Sequence, residues 1–195
     1  CDTLMKCYFD RSDDLYSLTG QVDLKRLSQA GAMAQFFAIY MPEEGFLARM
    51  NLSGSYSDDE YIEGCSRIFE NSMKAHGDLA AKAVNASQVR ENFAKGLVSG
   101  ILTMEDGRAI NGRMEKIKEY YDLGVRAISL TWNGINCLGY PNSEDPAIMN
   151  RGLTDFGKEA VEYMQQLGIL VDVSHLSDGG FRDVADLCKK PFIAT

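Results

Sequence analysis

Histidine is nearly missing from this chain: its 195 residues hold two, His76 and His175. Basic clusters are missing too. No segment gathers lysine and arginine, and the formal net charge is -8, so the attraction to phosphate backbones that nucleic-acid binders rely on is absent. No apolar stretch approaches the roughly 20 residues that a bilayer-spanning helix needs, and no basic region followed by an apolar one opens the chain. A soluble chain without a membrane segment is expected. Five cysteines, Cys1, Cys7, Cys65, Cys137 and Cys188, are an odd number with no C-x-x-C pair. That pattern suits thiols in a reducing compartment rather than a disulfide framework, and a cytoplasmic location is expected from it. Neither glycine-rich fingerprint of nucleotide binding follows a strand-like run.

What is present is ordinary globular composition, 45% hydrophobic and 25% charged, enough for one sizeable core and one domain or part of one. Apolar strand-like runs at 34–41, 96–104, 125–131, 169–174 and 191–195 alternate with segments of helical period. Such alternation predicts βα units and a parallel sheet. Residues 1–3 read as the tail of an earlier strand. Helices are expected over 22–30, capped by Asp23, over 58–84 with His76 inside an amphipathic stripe, and over 111–123. Two more are expected at 154–167, with Thr154 as cap and Gly168 as terminator, and at 177–187. With no nucleotide fingerprint, the order of elements favours a (β/α)₈ barrel over an open doubly wound sheet. The barrel typically needs about 250 residues. The expectation is therefore an α/β chain holding a barrel fragment, from the end of strand 1 through strand 6, as a single incomplete domain over 1–195.

His175 closes the run Ile169-Leu170-Val171-Asp172-Val173-Ser174, at the carboxyl end of a strand, the face on which parallel α/β folds keep their chemistry. It could be a metal ligand, or a strand-end histidine bonded to a backbone carbonyl. Alternation along the 96–104 run places Ser99, Ile101, Thr103 and Glu105 on one face, and the Asp106-Gly107 turn leaves Glu105 aimed into the space that His175 would enter. Glu105 could equally cap the next helix or pair with an arginine. Asp2 is a third carboxylate. Two carboxylates and an imidazole from three strands make a ligand set suited to zinc, and two ions about 3.5–4 Å apart would acidify a water between them for amide hydrolysis. Asp172 could orient the metal ligands or simply bond backbone amides.

Several stretches together resemble the membrane (renal-type) dipeptidase family. They are Cys1-Asp2-Thr3-Leu4, Val22-Asp23-Leu24-Lys25-Arg26-Leu27, Gly31-Ala32-Met33-Ala34-Gln35-Phe36-Phe37, Met104-Glu105-Asp106-Gly107, Leu123-Gly124-Val125-Arg126, Leu130-Thr131-Trp132-Asn133, Gly152-Leu153-Thr154-Asp155-Phe156-Gly157 and Val171-Asp172-Val173-Ser174-His175-Leu176-Ser177. The resemblance spans the whole chain. It implies a (β/α)₈ metallopeptidase with two Zn²⁺, hydrolysing dipeptides, some with a D-residue at the C-terminal position, by a hydroxide held between the metals. Residue by residue it implies Asp2, Glu105 and His175 as metal ligands and Glu105 as the bridging, catalytic carboxylate. Two further histidines would fall just before Cys1 and just after Thr195. A homodimer is an implied assembly, and a small dipeptide the implied partner. The family's Thr-His-Asn at the end of the fourth strand is replaced here by Thr131-Trp132-Asn133. Trp132 and Asn133 are thus candidate substrate contacts, with Trp132 also readable as an aromatic lid. Tryptophan can donate one N–H but carries no charge. A catalytically altered or non-catalytic barrel, or a hydrolase of another small amide or lactone, stays open on that substitution.

Overall fold

The computed structural model describes residues 1–51 and 56–195 and divides them into two compact units, Cys1–Thr103 and Met104–Thr195. In the first unit, α1 (Thr3–Phe9) buries Thr3, Leu4 and Cys7, an i, i+4 face. Residues 1–3 are therefore not the tail of a strand: Asp2 is the N-cap of α1. The three-residue run is too short to distinguish a strand from a helix start, and the helical spacing of Thr3, Leu4 and Cys7 prevails. α2 (Leu24–Gln29) starts where expected, with the Asp23 carboxylate accepting from Arg26 N. β1 (Ala34–Tyr40) follows and buries Phe37, Ile39 and Tyr40.

After α3 (Glu44–Arg49), α4 (Asp58–Ala75) opens on a reciprocal capping box between Ser57 and Glu60. It stops nine residues short of the expected end. His76 is its C-cap, and Ala80–Lys82 form β2, which pairs in parallel with the start of β3 (Val98–Glu105), Ala80 against Val98. The apolar positions Leu79, Ala80, Ala83 and Val84 fit either period; ladder bonds such as Ala83 N to Gly100 O decide for the strand. His76 is tied down locally, its Nε2 2.9 and 3.0 Å from the two Asp14 carboxylate oxygens and its ring stacked on Tyr16. Between β2 and β3 lies α5 (Ala86–Ala94), unforeseen in the sequence, capped by Asn85 on Gln88 N, while the Gln88 side chain accepts from Val84 N. β3 is bonded to both β1 and β2, and its last two residues lead into the second unit.

The second unit continues through a 3₁₀ turn (Gly107–Ile110), α6 (Met114–Leu123), β4 (Val125–Ser129), α7 (Pro146–Met149), α8 (Asp155–Leu167), β5 (Leu170–Asp172) and α9 (Asp178–Leu187). Gly124 and Gly168 end α6 and α8 at φ +105° and +86°, the left-handed C-terminal geometry that glycine adopts without a Cβ penalty. β4 and β5 pair in parallel, Ala127 against Leu170, with Val125, Ala127, Ile128 and Val171 buried and with α6 packed on β4 and α8 on β5. The 191–195 run contributes only the bridge of Ile193 to Asp172, also parallel, rather than a full strand. Each unit thus repeats strand and helix with parallel ladders, an α/β fold.

Candidate active site

Three of the sequence-derived candidates meet in the second unit. Glu105 is the last residue of β3, and its Oε1 stands 3.3 Å from His175 Nε2. Both side chains reach solvent, 28% exposed for Glu105 and 42% for His175. The Trp132 ring meets the His175 ring at 6.4 Å and 64°. Trp132 is half-buried, and Asn133 beside it is exposed. Asp2 lies in the first unit, exposed, with no cap bond from its side chain.

The backbone explains how these side chains are held. His175 has φ +64°, a left-handed conformation that costs a non-glycine residue on the order of 1 kcal/mol. Its carbonyl is clamped from two sides, by the Thr131 hydroxyl at 3.1 Å and by Asn142 N at 2.7 Å. Glu105 is fixed through its neighbour. Asp106, 2% exposed at φ +74°, donates its N–H to the Ser129 hydroxyl and accepts from Arg108 N and Asn136 Nδ2. Asn136 also donates to Leu130 O and accepts from Leu138 N and Gly139 N, closing the loop after β4 onto the end of β3. At Gly107 a Cβ would lie 2.5 Å from Leu138 Cδ1, so a side chain there would require the buried Leu138 to shift. Ser129 and Asn136 carry no signal in the sequence, which names Asp106 only as a turn residue and Thr131 only within the family motif.

Asp172 is buried, accepts from Ser174 N at 2.9 Å and from the Thr195 hydroxyl at 2.7 Å, and Ser174 in turn bonds the Thr195 backbone. The 3₁₀ turn that follows β3 is capped by Asp106, whose carboxylate accepts from Arg108 N.

His175 does not close the strand as expected: β5 ends at Asp172, and His175 sits three residues on, in a turn whose left-handed backbone interrupts the extended run. A carboxylate at a strand end and an imidazole on that turn, in contact and both solvent-accessible, fit the donor chemistry of a zinc site, which takes carboxylate oxygen and imidazole nitrogen among four ligands. The pair supplies two of them. Among the described residues no group of three or more His, Cys, Asp or Glu side chains gathers as a metal cage.

The family model of the membrane dipeptidases, peptidase family M19, matches residues 2–195. The chain belongs to the M19 family. Among its relatives, dipeptidase tcpJ of Claviceps purpurea is 27% identical over 97% of this chain and 46% of its own length. A metallo peptidase from Rhodobacter sphaeroides, solved with a phosphinate mimic of the dipeptide L-Ala-D-Ala, superposes with a TM-score of 0.78 at 25% identity, over 98% of this chain and 62% of that one. Another solved dipeptidase, a metallo peptidase of family M19, gives 0.77 at 26% identity, over 98% and 60%. This M19 chain spans about half the length of the curated relatives it matches. No helix among its described residues is long and apolar enough to cross a membrane.

Proposed function

We propose that the full-length protein is a zinc-dependent dipeptidase on a (β/α)₈ barrel, to which residues 1–195 contribute part of one metallo-dependent hydrolase domain. The observation that carries the proposal is the contact of Glu105 Oε1, at the end of β3, with His175 Nε2, in the clamped turn that follows β5, in an M19 chain. The parallel strand-and-helix order and the superposition on M19 dipeptidases support the barrel.

Glu105 and His175 would hold the metals, with Glu105 the bridging carboxylate; Asp2 is added to the ligand set by the family resemblance alone. Two bound zinc ions would lower the pKa of water and polarise the scissile carbonyl. The chain's own residues prepare the place for that chemistry. Thr131 and Asn142 lock the carbonyl of His175 and so hold the left-handed backbone from which its imidazole projects. Asp106 and Asn136 hold the turn that presents Glu105. Trp132 offers one N–H and no charge, so it stabilises a developing oxyanion less than a protonated imidazole would. Trp132 and Asn133 are the proposed substrate contacts. A D-configured C-terminal residue in the substrate is supported by the L-Ala-D-Ala mimic bound to the Rhodobacter relative. All five cysteines are free thiols, which supports a cytoplasmic, reducing setting. A homodimer is the assembly carried over from the family resemblance.

The test is zinc content and turnover of L-Ala-D-Ala and L-Ala-L-Ala by the purified full-length protein, before and after chelation. Two zinc equivalents per chain are expected, with hydrolysis abolished by chelator and restored by zinc. Metal-independent hydrolysis or a protein inert towards every dipeptide contradicts the proposal, and turnover of lactones or other amides alone moves it to a different bond.

A further inference from the structure

We propose that Asn133-Gly134 is a self-modifying site, at which the Gly134 nitrogen attacks the Asn133 side-chain amide and converts the asparagine into aspartate and isoaspartate beside Trp132. The inference does not depend on what the site hydrolyses. In an Asn-Gly pair the nitrogen after the asparagine carries no neighbouring side chain to block its approach. The chain has two such pairs, Asn111-Gly112 and Asn133-Gly134. As sequence the two are alike, and the fold separates them.

Asn133 lies in the loop that follows β4, exposed, with Gly134 half-buried. The loop is fastened at Leu130, whose N–H donates to Asp172 O, and at Asn136, whose side chain donates to Leu130 O and whose N–H donates to Gly139 O. Between these fastenings the backbones of Asn133, Gly134 and Ile135 make no hydrogen bond among the described residues, and neither does the Asn133 side chain. No such bond therefore holds the Gly134 nitrogen away from Asn133 Cγ. Asn111-Gly112 is exposed too, but it closes the 3₁₀ turn. Asn111 is left-handed at φ +49° with its N–H on Arg108 O at 3.0 Å, and Arg113 N donates to Ile110 O at 2.9 Å. Burial pushes the Cys137 thiol up, and the N–H groups of Gly112 and Asn111 that meet its sulfur act against that rise. The Gly112 nitrogen is thus occupied where the Gly134 nitrogen is not.

The step needs only water. Hydroxide takes the Gly134 N–H proton, the nitrogen bonds to Asn133 Cγ, and the Cγ–Nδ2 bond breaks, releasing ammonia and leaving a cyclic succinimide. Water then opens the ring at Cγ, giving aspartate, or at the main-chain carbonyl, giving isoaspartate, whose extra methylene lengthens the backbone. Either product adds a carboxylate next to Trp132, whose ring meets that of His175.

The experiment incubates full-length protein, native and urea-denatured, at mildly alkaline pH, digests it in acid, and maps asparagine, aspartate and isoaspartate at both pairs by mass spectrometry. In native protein Asn133 is expected to convert at least about tenfold faster than Asn111, and in denatured protein the two are expected to convert within about threefold of each other. Gly134→Ala, which puts a methyl beside the attacking nitrogen, should slow conversion of Asn133 by about tenfold in both states. Asn133 that keeps its amide in native protein while denatured protein converts, Asn111 that converts as fast as Asn133 in native protein, or aspartate formed without isoaspartate overturns the inference. The wild-type comparison decides even if G134A does not fold. No turnover is read, so a protein that hydrolyses no dipeptide refutes the dipeptidase reading alone.

Discussion

Replacing Asp106 with alanine should damage the site without touching a proposed ligand. The Asp106 carboxylate is buried and accepts two bonds, from Arg108 N at 3.0 Å and from Asn136 Nδ2 at 2.8 Å. Hydrogen bonds to a charged acceptor are worth about 1.5 kcal/mol each at the low end, and both donors would be left without this acceptor. The expected loss is about 3 kcal/mol. Asp106→Asn keeps an acceptor oxygen in the same place and gives up only the charge, so about 1 kcal/mol is expected to be lost. The assay is thermal unfolding of the full-length protein, in which a loss of about 3 kcal/mol lowers Tm by several degrees for a domain of this size. Dipeptide turnover should fall in the same order, alanine far below asparagine, because the Glu105 turn loses its fastening. If D106A melts within about 1 °C of wild type, or if D106N is as impaired as D106A, the proposed support for Glu105 is wrong.

At the start of α2, Asp23 is almost fully buried: burial pushes its carboxyl up, but bonds from the Arg26 side chain and from the backbone of Arg26 and Leu18 outweigh it and leave the group below the ordinary carboxylate range. A carboxyl lowered on folding stabilises above its unfolded pKa of about 3.9 and loses that contribution as pH falls through the folded value. Asp23→Ala should therefore cost about 1–2 kcal/mol between pH 5 and 8, with the gap in Tm to wild type closing below about pH 4; a gap that widens in acid would contradict this. Burial pushes the Cys7 thiol up to about 11 and the Cys65 thiol up to about 12. Both should resist iodoacetamide at pH 8 in the native protein and react after denaturation, as peptide mass mapping would show; native labelling of either would refute the burial of these two thiols. Thr131→Val removes one of the two donors on the His175 carbonyl while keeping the shape of the side chain, and should lower zinc affinity by about tenfold at nearly unchanged Tm, read by competition with a chromogenic chelator.

Much of the fold is legible because its strands are apolar on both faces and end at punctuated positions: Asp23, Thr154 and Ser177 cap helices, and Gly124 and Gly168 end them, as their residue types require. Errors fall where two periods fit the same residues. Leu79 to Val84 continue the apolar stripe of α4 on paper, yet the chain leaves the helix at His76-Gly77 and those residues enter a parallel ladder, a choice made by the distant partner Val98. α1 and α5 escaped notice although their signals are local: Leu4 and Cys7 share one face, and Asn85 with Gln88 makes a cap. Of the site, the candidate residues could be named from strand ends and from the family resemblance. The left-handed backbone of His175, the double clamp on its carbonyl and the Asp106–Asn136 bond join residues 30 to 44 positions apart, and no local pattern encodes such pairs.

The account stands on Glu105 and His175 holding metal together. Anomalous diffraction at the zinc edge from crystals of the zinc-loaded full-length protein tests that directly. The expected result is a zinc peak at about 2.0–2.2 Å from both a Glu105 carboxylate oxygen and a His175 ring nitrogen. Zinc bound elsewhere, with Glu105 still in direct contact with His175, would contradict it.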